Sequence, residues 1–414
     1  MPANKALRKL ALMVGTSLTL LPLLAQPIPA EAASTGTLFG IDIRRAAVVS
    51  INPSTGALTP VADLSLPPGQ PTPGFMDSMA SDPATHRLFL VRLVSDFWAF
   101  PPSITYQLLT VDSHSGAVTV SPGLGHPVTS LAFDTTAGKL LGFTGDCCPN
   151  QIVSIDPTSG AFTHVADVIG DTFSFMTFAP STHSLYMDSE SFAAPPPNPP
   201  VNTMLAVNTQ TGVVTSSPPL TRGVNSLAFD TSQRALFGVT FFPPSFVRID
   251  PTTGAEAPLG SYDFGFFLEP GTALDPATHT YFKVQDVFDD PIQGPIAHIA
   301  SINDQTGAGV LGATTGTNLA AIVFEPVPIT ADSIRTDVRN AVASGAIDNA
   351  GVGSALLAEL DAAAAARARG ECGVAANLYN AFIADLTAQS GRHVAAATAT
   401  QLISEAQFLI ANCP

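Results

Sequence analysis

VTSLAFDTTAGKLLGFTGDCCPNQIVSIDPTSGAFTHVAD, residues 128–167, decides the fold. Alternating apolar and polar residues divide it into four short strands joined by three connections, and Gly, Asp, Asn and Thr/Ser punctuate the turns. Recognisable versions of this cassette recur from end to end. The Asx-Thr/Ser-Gly turn IDPTSG (155–160) has relatives in INPSTG (51–56), VDSHSG (111–116), VNTQTG (207–212), IDPTTG (249–254) and INDQTG (302–307). In each, the Asx side chain is expected to bond its own backbone and the Gly to close a hairpin between two strands.

A second marker alternates with the first: MASDPATHRLFLV from Met79, LAFDTTAGKLLGF from Leu131, MTFAPSTHSLYM from Met176, LAFDTSQRALFGV from Leu227 and TALDPATHTYFKV from Thr272. A sixth, IVFEP (322–326), lacks a following strand, and TLFGIDI (37–43) near the N-terminus has the pattern to supply it. Four-stranded repeats of roughly 40–50 residues are the signature of propeller blades. The expectation is a mainly β, six-bladed β-propeller whose last blade is completed by the first strands of the chain, which leaves no open sheet edge at the seam. His86, His183 and His279 end near-identical turns (DPATH, APSTH, DPATH), and the blades between carry FDTTAGK and FDTSQR. The unit of duplication is therefore a pair of blades, with residues 128–167 as the second half of one pair. Three pairs fit six blades better than seven.

Upstream of the repeats stand Lys5, Arg8 and Lys9, an apolar run over 10–24, and Ala30-Glu31-Ala32. That order predicts a secretory signal over 1–32. The run is shorter than the roughly 20 residues of a membrane helix and Pro22 interrupts its end. The mature chain is thus expected to be exported, without membrane insertion. Loss of three basic residues and one acid takes the formal charge from −16 to about −18, which disfavours a nucleic-acid partner. Only 12% of residues are charged while 46% are hydrophobic, so the 36 Pro and 32 Gly mark tight turns in a packed β body rather than disorder.

Beyond residue 327 the composition turns Ala-rich. Apolar stripes at spacings of three and four predict helices over 331–344 (Ile334, Val338, Val342), 349–369 (Val352, Leu356, Leu360), 371–390 (Leu378, Phe382, Leu386) and 395–412 (Leu402, Ala406, Leu409). Gly345, Gly370 and Gly391 stand where helix C-caps belong. The expected domains are a propeller over 33–327 and a four-helix unit over 328–414. The segment ALLAELDAAAAARARGECGVAANLYNAFIADLTAQSGRHV with the later QLISEAQFLI resembles the FIMAH domain, through Ala381–Ile383, Gln389–Gly391 and the closing LISEAQ. The resemblance covers about a fifth of the chain and implies a bacterial, secreted, modular context and no chemistry. The repeats likewise resemble bacterial propellers carrying LAFDPxTGxLFG and IDPxTG patterns.

Cys372 begins the third expected helix and Cys413 ends the fourth; antiparallel packing would bring them together as a disulfide in an exported protein. Cys147 and Cys148 are adjacent in GDCCPN, which leaves a vicinal disulfide, two free thiols or a soft-metal site open, with zinc disfavoured by the lack of further ligands.

The DPATH-type and DPTSG-type turns fall on one face of the ring, short and alike. The other face collects what fails to repeat: SDFWAFPPS (95–103), GDCCPN, SESFAAPPPNPPVN (189–202), FFPPS (241–245), SYDFGFFLEPG (261–271) and QDVFDDPIQGP (285–295). Variable loops on a rigid scaffold are where binding resides. Phe97, Trp98 and Phe100, then Phe241 and Phe242, then Tyr262, Phe266 and Phe267 present rings able to stack on a sugar or receive a protein; the alternative is that they plug gaps between blades. In the channel, alignment of the inner strands puts Asp77, Thr129, Ser174, Asn225, Pro270 and Ala320 at one level with Glu269 a step away. Lactonase-type six-bladed propellers hold a divalent cation in such a ring, so Asp77, Asn225 and Glu269 are the candidate calcium ligands, short of the six or more oxygens a hard cation wants. The three turn histidines, a third of a ring apart, are expected to be turn residues. No GxSxG, HExxH or GxxxxGK motif occurs. The function expected is a non-enzymatic binding module for an extracellular glycan or protein, with no cofactor beyond a calcium ion at most; the alternative is a metal-dependent hydrolase or lactonase working in the channel.

Overall fold

In a computed structural model of the chain, the residues described are 36–67, 73–96, 103–145, 150–170, 172–173, 176–191, 201–240, 243–261, 271–287, 296–327 and 329–411. Their strands form six antiparallel sheets, the six blades of a β-propeller. From channel to rim, blade 1 is β25 (Leu319–Pro326), β1 (Gly36–Asp42), β2 (Ala47–Ile51) and β3 (Leu58–Asp63). Blade 2 is β4 (Gly74–Asp82), β5 (Arg87–Asp96), β6 (Ser103–Asp112) and β7 (Val118–Leu124); blade 3 is β8 (Ser130–Asp134), β9 (Lys139–Thr144), β10 (Gln151–Ile155) and β11 (Phe162–Asp167). In blade 4 the inner strand is split into β12 (Thr172–Phe173) and β13 (Thr177–Ala179), followed by β14 (Ser184–Ser191), β15 (Val201–Asn208) and β16 (Val214–Pro219). Blade 5 is β17 (Val224–Asp230), β18 (Ala235–Thr240), β19 (Ser245–Ile249) and β20 (Glu256–Ser261), and blade 6 is β21 (Thr272–Asp275), β22 (Thr280–Val287), β23 (Ile296–Asn303) and β24 (Gly309–Thr314).

The seam closes as the strand-less IVFEP implied. β1 pairs antiparallel with β25, Leu38 opposite Phe324 and Gly40 opposite Ile322. Three strands of blade 1 thus come from the N-terminal end and one from 283 residues further on, after β24. Inner strands touch in a closed circuit, β25 to β4, β8, β13, β17, β21 and back to β25. Hydroxyls stitch that circuit: Leu131 N–H donates to Ser78 Oγ (2.8 Å), Met176 N–H to Ser130 Oγ (3.0 Å) and Phe229 N–H to Thr177 Oγ1 (3.1 Å).

Between each pair of adjacent blades lies one apolar cluster, for example Leu88, Leu90 and Val111 against Val48 and Ile41 between blades 1 and 2. Aromatic stacks recur at every second junction: Phe89 on Phe133 (5.7 Å between centroids), Tyr186 on Phe229 (6.3 Å) and Phe282 on Phe324 (6.2 Å). These are the junctions inside the two-blade units read from the histidine spacing, and the junctions between units are built differently, as shown below.

All six Asx turns form as their composition dictates. Asp112 Oδ1 accepts the N–H groups of His114 (3.1 Å) and Ser115 (2.6 Å), Asn208 those of Gln210 and Thr211 (3.1 and 2.9 Å), and the same pair of bonds recurs at Asn52, Asp156, Asp250 and Asn303. Each closing Gly takes a φ of 67–71°. Glycine is required twice over, because its Cα also abuts the outer strand of the preceding blade: a Cβ on Gly116 would lie 2.1 Å from Val61 O, and one on Gly212 2.4 Å from Val165 O.

The C-terminal helices α1 (Ala331–Ser344), α2 (Ala350–Ala368), α3 (Cys372–Gln389) and α4 (Ala396–Ala411) fall within a residue of the expected ends. α2 packs on α1 and α3, and α4 on α3 and α1. Thr330 and Ser333 form a reciprocal capping box, Asn349 caps α2, and Gly345 ends α1 in the left-handed conformation. The core contains Ile334, Val338, Leu356, Leu360, Phe382, Leu386, Leu402, Ala406 and Leu409 as the stripes predict; Val342, Val352 and Leu378 are only partly buried against it, and Ala375 and Tyr379 fill the α3 stripe instead of Leu378. Among the described residues no helix is long and apolar enough to cross a membrane.

Candidate functional site: the loop face and the channel

Strand lengths separate the two faces. The turns at His86, His183 and His279 are bonded to the Asx turns of their own blades, their carbonyls accepting from Ser113 N (2.8 Å), Thr209 N (2.9 Å) and Asp304 N (2.9 Å), so these two turn families do share a face. From that common level the middle strands of blades 2, 4 and 6 run 10, 8 and 8 residues, as against 6 and 5 in blades 3 and 5. At about 3.3 Å per residue, three alternating hairpins therefore rise roughly 7–15 Å further on the opposite face.

Each raised hairpin is tied at its base to a neighbouring blade. Arg92 of blade 2 donates through Nη1 to Leu64 O (3.2 Å) and through Nη2 to Gln107 Oε1 (2.8 Å). In blade 4, buried Asp188 accepts from Val224 N (2.8 Å); burial, with Glu190 and Glu256 nearby, pushes its carboxyl up to about 7. In blade 6, Tyr281 Oη donates to Ser226 O (3.1 Å) and the fully buried Lys283 donates to Ser226 Oγ (3.0 Å). The aromatic residues expected to bind, Phe97, Trp98, Phe100, Phe241, Phe242, Tyr262, Phe266 and Phe267, all lie outside the described residues. What is described is their mounting: the 97–102 connection leaves the paired ends Asp96 and Ser103, and the 241–242 segment follows Thr240, paired with Ser245.

The channel is a cavity of about 240 Å³ walled by all six inner strands. Its described wall mixes apolar side chains such as Phe133, Phe229, Leu274 and Val323 with polar ones such as Ser78, Ser81 and Thr272, and Asp77 is the one carboxylate among them. Asp77 keeps solvent contact, yet the surrounding protein desolvates it and raises its pKa above the ordinary value. Of the other candidate calcium ligands, Glu269 and the side chain of Asn225 lie outside the described residues. A ring of oxygens is thus represented by a single member.

The turn histidines do more than end turns. Each adopts left-handed φ (50–55°), a position held by Gly138 and Arg234 in blades 3 and 5, and each reaches the preceding blade. His86 Nδ1 lies 3.0 Å from Glu325 Oε1, and His183 Nδ1 lies 2.9 Å from Thr136 Oγ1, while Thr209 Oγ1 donates to Asp134 Oδ2 (2.9 Å). His279 Nδ1 contacts Asp230 Oδ2 (3.1 Å) and Asp304 Oδ1 (3.5 Å). Glu325, Asp134 and Asp230 occupy equivalent turn positions, so polar latches join blades 1 to 2, 3 to 4 and 5 to 6, alternating with the aromatic stacks.

At the last latch, hydrogen bonds to Asp230 and Asp304 outweigh desolvation and push His279 up to about 10. Burial opposes ionisation of Asp230, but hydrogen bonds from His279, Ser232 and Gln233 hold it below the carboxylate range; burial raises Asp304. Sequence reasoning missed these contacts because the partners lie up to 239 residues apart; the signal was the change from Ser113 and Thr209 to Asp304 at one turn position. Cys372 is disulfide-bonded. Cys147, Cys148 and Cys413 lie outside the described residues.

Comparison with known proteins finds that residues 331–411 match the model of the FIMAH domain, so the chain carries a C-terminal FIMAH domain after its propeller. Among solved structures it is similar to TolB from Acinetobacter baumannii, at 12% identity and a TM-score of 0.49, over 72% of this chain and 68% of that one. It is also similar to a chain of a nidogen/laminin complex, at 11% identity and a TM-score of 0.47, over 70% of this chain and 98% of that one. No curated protein matches.

Proposed function

We propose that the protein is an exported, non-enzymatic binding module whose raised loop face contacts an extracellular glycan or protein. The observation that carries this reading is the set of three long hairpins in blades 2, 4 and 6, each fastened at its base by a buried polar side chain. Rigid supports beneath variable connections are the arrangement that positions a binding surface. In sequence, Phe97, Trp98 and Phe100 lie between Asp96 and Ser103, the paired ends of the tallest described hairpin, and aromatic rings offer large contact area at low conformational entropy.

The test shortens the blade 2 hairpin, replacing residues 97–102 by an Asn-Gly turn between Asp96 and Ser103, and compares the variant with the mature chain on a glycan array. Retained melting with lost glycan signal supports the proposal. A signal unchanged by the shortening would sink it, and a flat wild-type array would move the search to protein partners by crosslinking at residue 98.

A further inference from the structure

The three latches are copies of one arrangement, and one copy differs in kind. Where blades 2 and 4 carry Ser113 and Thr209 after the Asx residue, blade 6 carries Asp304. In blade 4 the hydroxyl at this position supplies a proton to Asp134; in blade 6 a second carboxylate faces Asp230 at the same place. Both carboxylates are buried, and among the described residues Asp304 Oδ2 has no hydrogen-bond partner. A buried carboxylate oxygen left unmatched beside another carboxylate is costly, and His279 Nδ1 reaches Asp304 only at Oδ1, which leaves Oδ2 uncompensated.

Four side chains converge there with a definite spacing. Gln233 Nε2 lies 2.9 Å from Asp230 Oδ2, 2.6 Å from Asp304 Oδ1 and 3.2 Å from His279 Nδ1, and His279 Nδ1 lies 3.1 and 3.5 Å from those two oxygens. A tetrahedral zinc with bonds of about 2.0 Å has ligand-to-ligand edges of roughly 3.3 Å. Turning the Gln233 amide, whose two ends are interchangeable in shape, replaces Nε2 by Oε1 and completes one nitrogen and three oxygen donors. The same turn removes an amide nitrogen from its position against the imidazole nitrogen.

We propose that Asp230, Gln233, His279 and Asp304 form a tetrahedral zinc site that staples blade 5 to blade 6. Zinc suits the set because one imidazole, two carboxylates and one amide oxygen supply the four donors of its tetrahedral coordination, whereas calcium takes six to eight oxygens. Two carboxylates neutralise the dication, and the partly exposed ring of His279 gives the ion a route from solvent. Neither the blade 1–2 latch nor the blade 3–4 latch pairs its histidine with two carboxylates, so the site is specific to this junction.

The experiment titrates zinc chloride into untagged, chelator-stripped mature chain by calorimetry, with melting temperature read in parallel. One zinc per chain is expected, with a rise in melting temperature. Asp304→Thr, which installs the residue type of the blade 4 latch, should bind at least 100-fold more weakly and lose the zinc-dependent rise. Gln233→Ala provides a second variant should the first misfold, with at least a tenfold loss expected, and His183→Ala should bind as the wild type does. X-ray absorption should show nitrogen and oxygen donors only. Absence of binding in the wild type, binding unchanged by Asp304→Thr and Gln233→Ala, or sulfur in the zinc shell would overturn the site.

Discussion

Gly116→Ala tests the way adjacent blades lock together. The residue sits at φ 71°, and its Cβ would lie 2.1 Å from the carbonyl oxygen of Val61 in the outer strand of blade 1. The left-handed conformation costs an Ala about 1–2 kcal/mol. Relieving the clash means moving a backbone strand of another blade, an overpacking cost of about 1–3 kcal/mol, so the total is about 2–5 kcal/mol. Gly138→Ala is the control: φ is 62°, nothing lies within 4 Å, and the residues in equivalent turns of the other blades are His or Arg. It should cost only the conformational part. Gly116→Asn separates the terms, since Asn accepts left-handed φ but carries the same Cβ. Urea unfolding followed by the β signal in far-UV circular dichroism measures all three. The reasoning is refuted if Ala at 116 is tolerated within 0.5 kcal/mol of Ala at 138, or if Asn at 116 restores wild-type stability.

Three further outcomes are expected in the helical domain. Burial pushes Glu405 up to about 7 from an ordinary 4.5, so its folded form resists ionisation. The resulting penalty is absent below pH 4.5, grows as pH rises, and is complete above 7 at about 3 kcal/mol, using about 1.4 kcal/mol per unit. Glu405→Gln should therefore stabilise the domain at pH 8 and leave it nearly unchanged at pH 4, by thermal melts; an equal effect at both would contradict the account. Tyr379→Phe should be neutral or stabilising in the same melts, because the buried Tyr379 hydroxyl has no hydrogen-bond partner among the described residues. If the disulfide of Cys372 closes on Cys413, a loop of roughly 40 residues, Cys372→Ser and Cys413→Ser should each cost about 4 kcal/mol, and unequal losses would point to a different partner.

The architecture was legible because it is written in local chemistry. Asp156 and Gly160 define their turn within six residues, and five copies repeat the pattern, so blade count and chain closure follow from one cassette and from the unmatched IVFEP. The contacts between blades were not legible in the same way. His279 is a turn residue by its φ and a latch by its partners, and only the fold brings Asp230 and Asp304 to it. Lys283 breaks the apolar pattern of TYFKV where Leu90 and Met187 stand in sister strands, a mark of its buried bond to Ser226 that alternation alone does not explain. The long hairpins were hidden for another reason: SDFWAFPPS reads as loop from its composition, and pairing out to Asp96 and Ser103 comes from the tertiary support of Arg92.

The most direct measurement compares two double variants for glycan or protein binding in the mature chain: Trp98→Ala with Phe242→Ala on the loop face, and Asp77→Asn with Asn225→Ala at the channel. Trp98 is the one tryptophan of the chain, so its emission also reports occupancy of the tallest hairpin in the wild type. The loop variant should lose binding at least tenfold with melting unchanged, and the channel variant should bind as the wild type does. Binding that survives the loop variant and disappears with the channel variant would contradict the account.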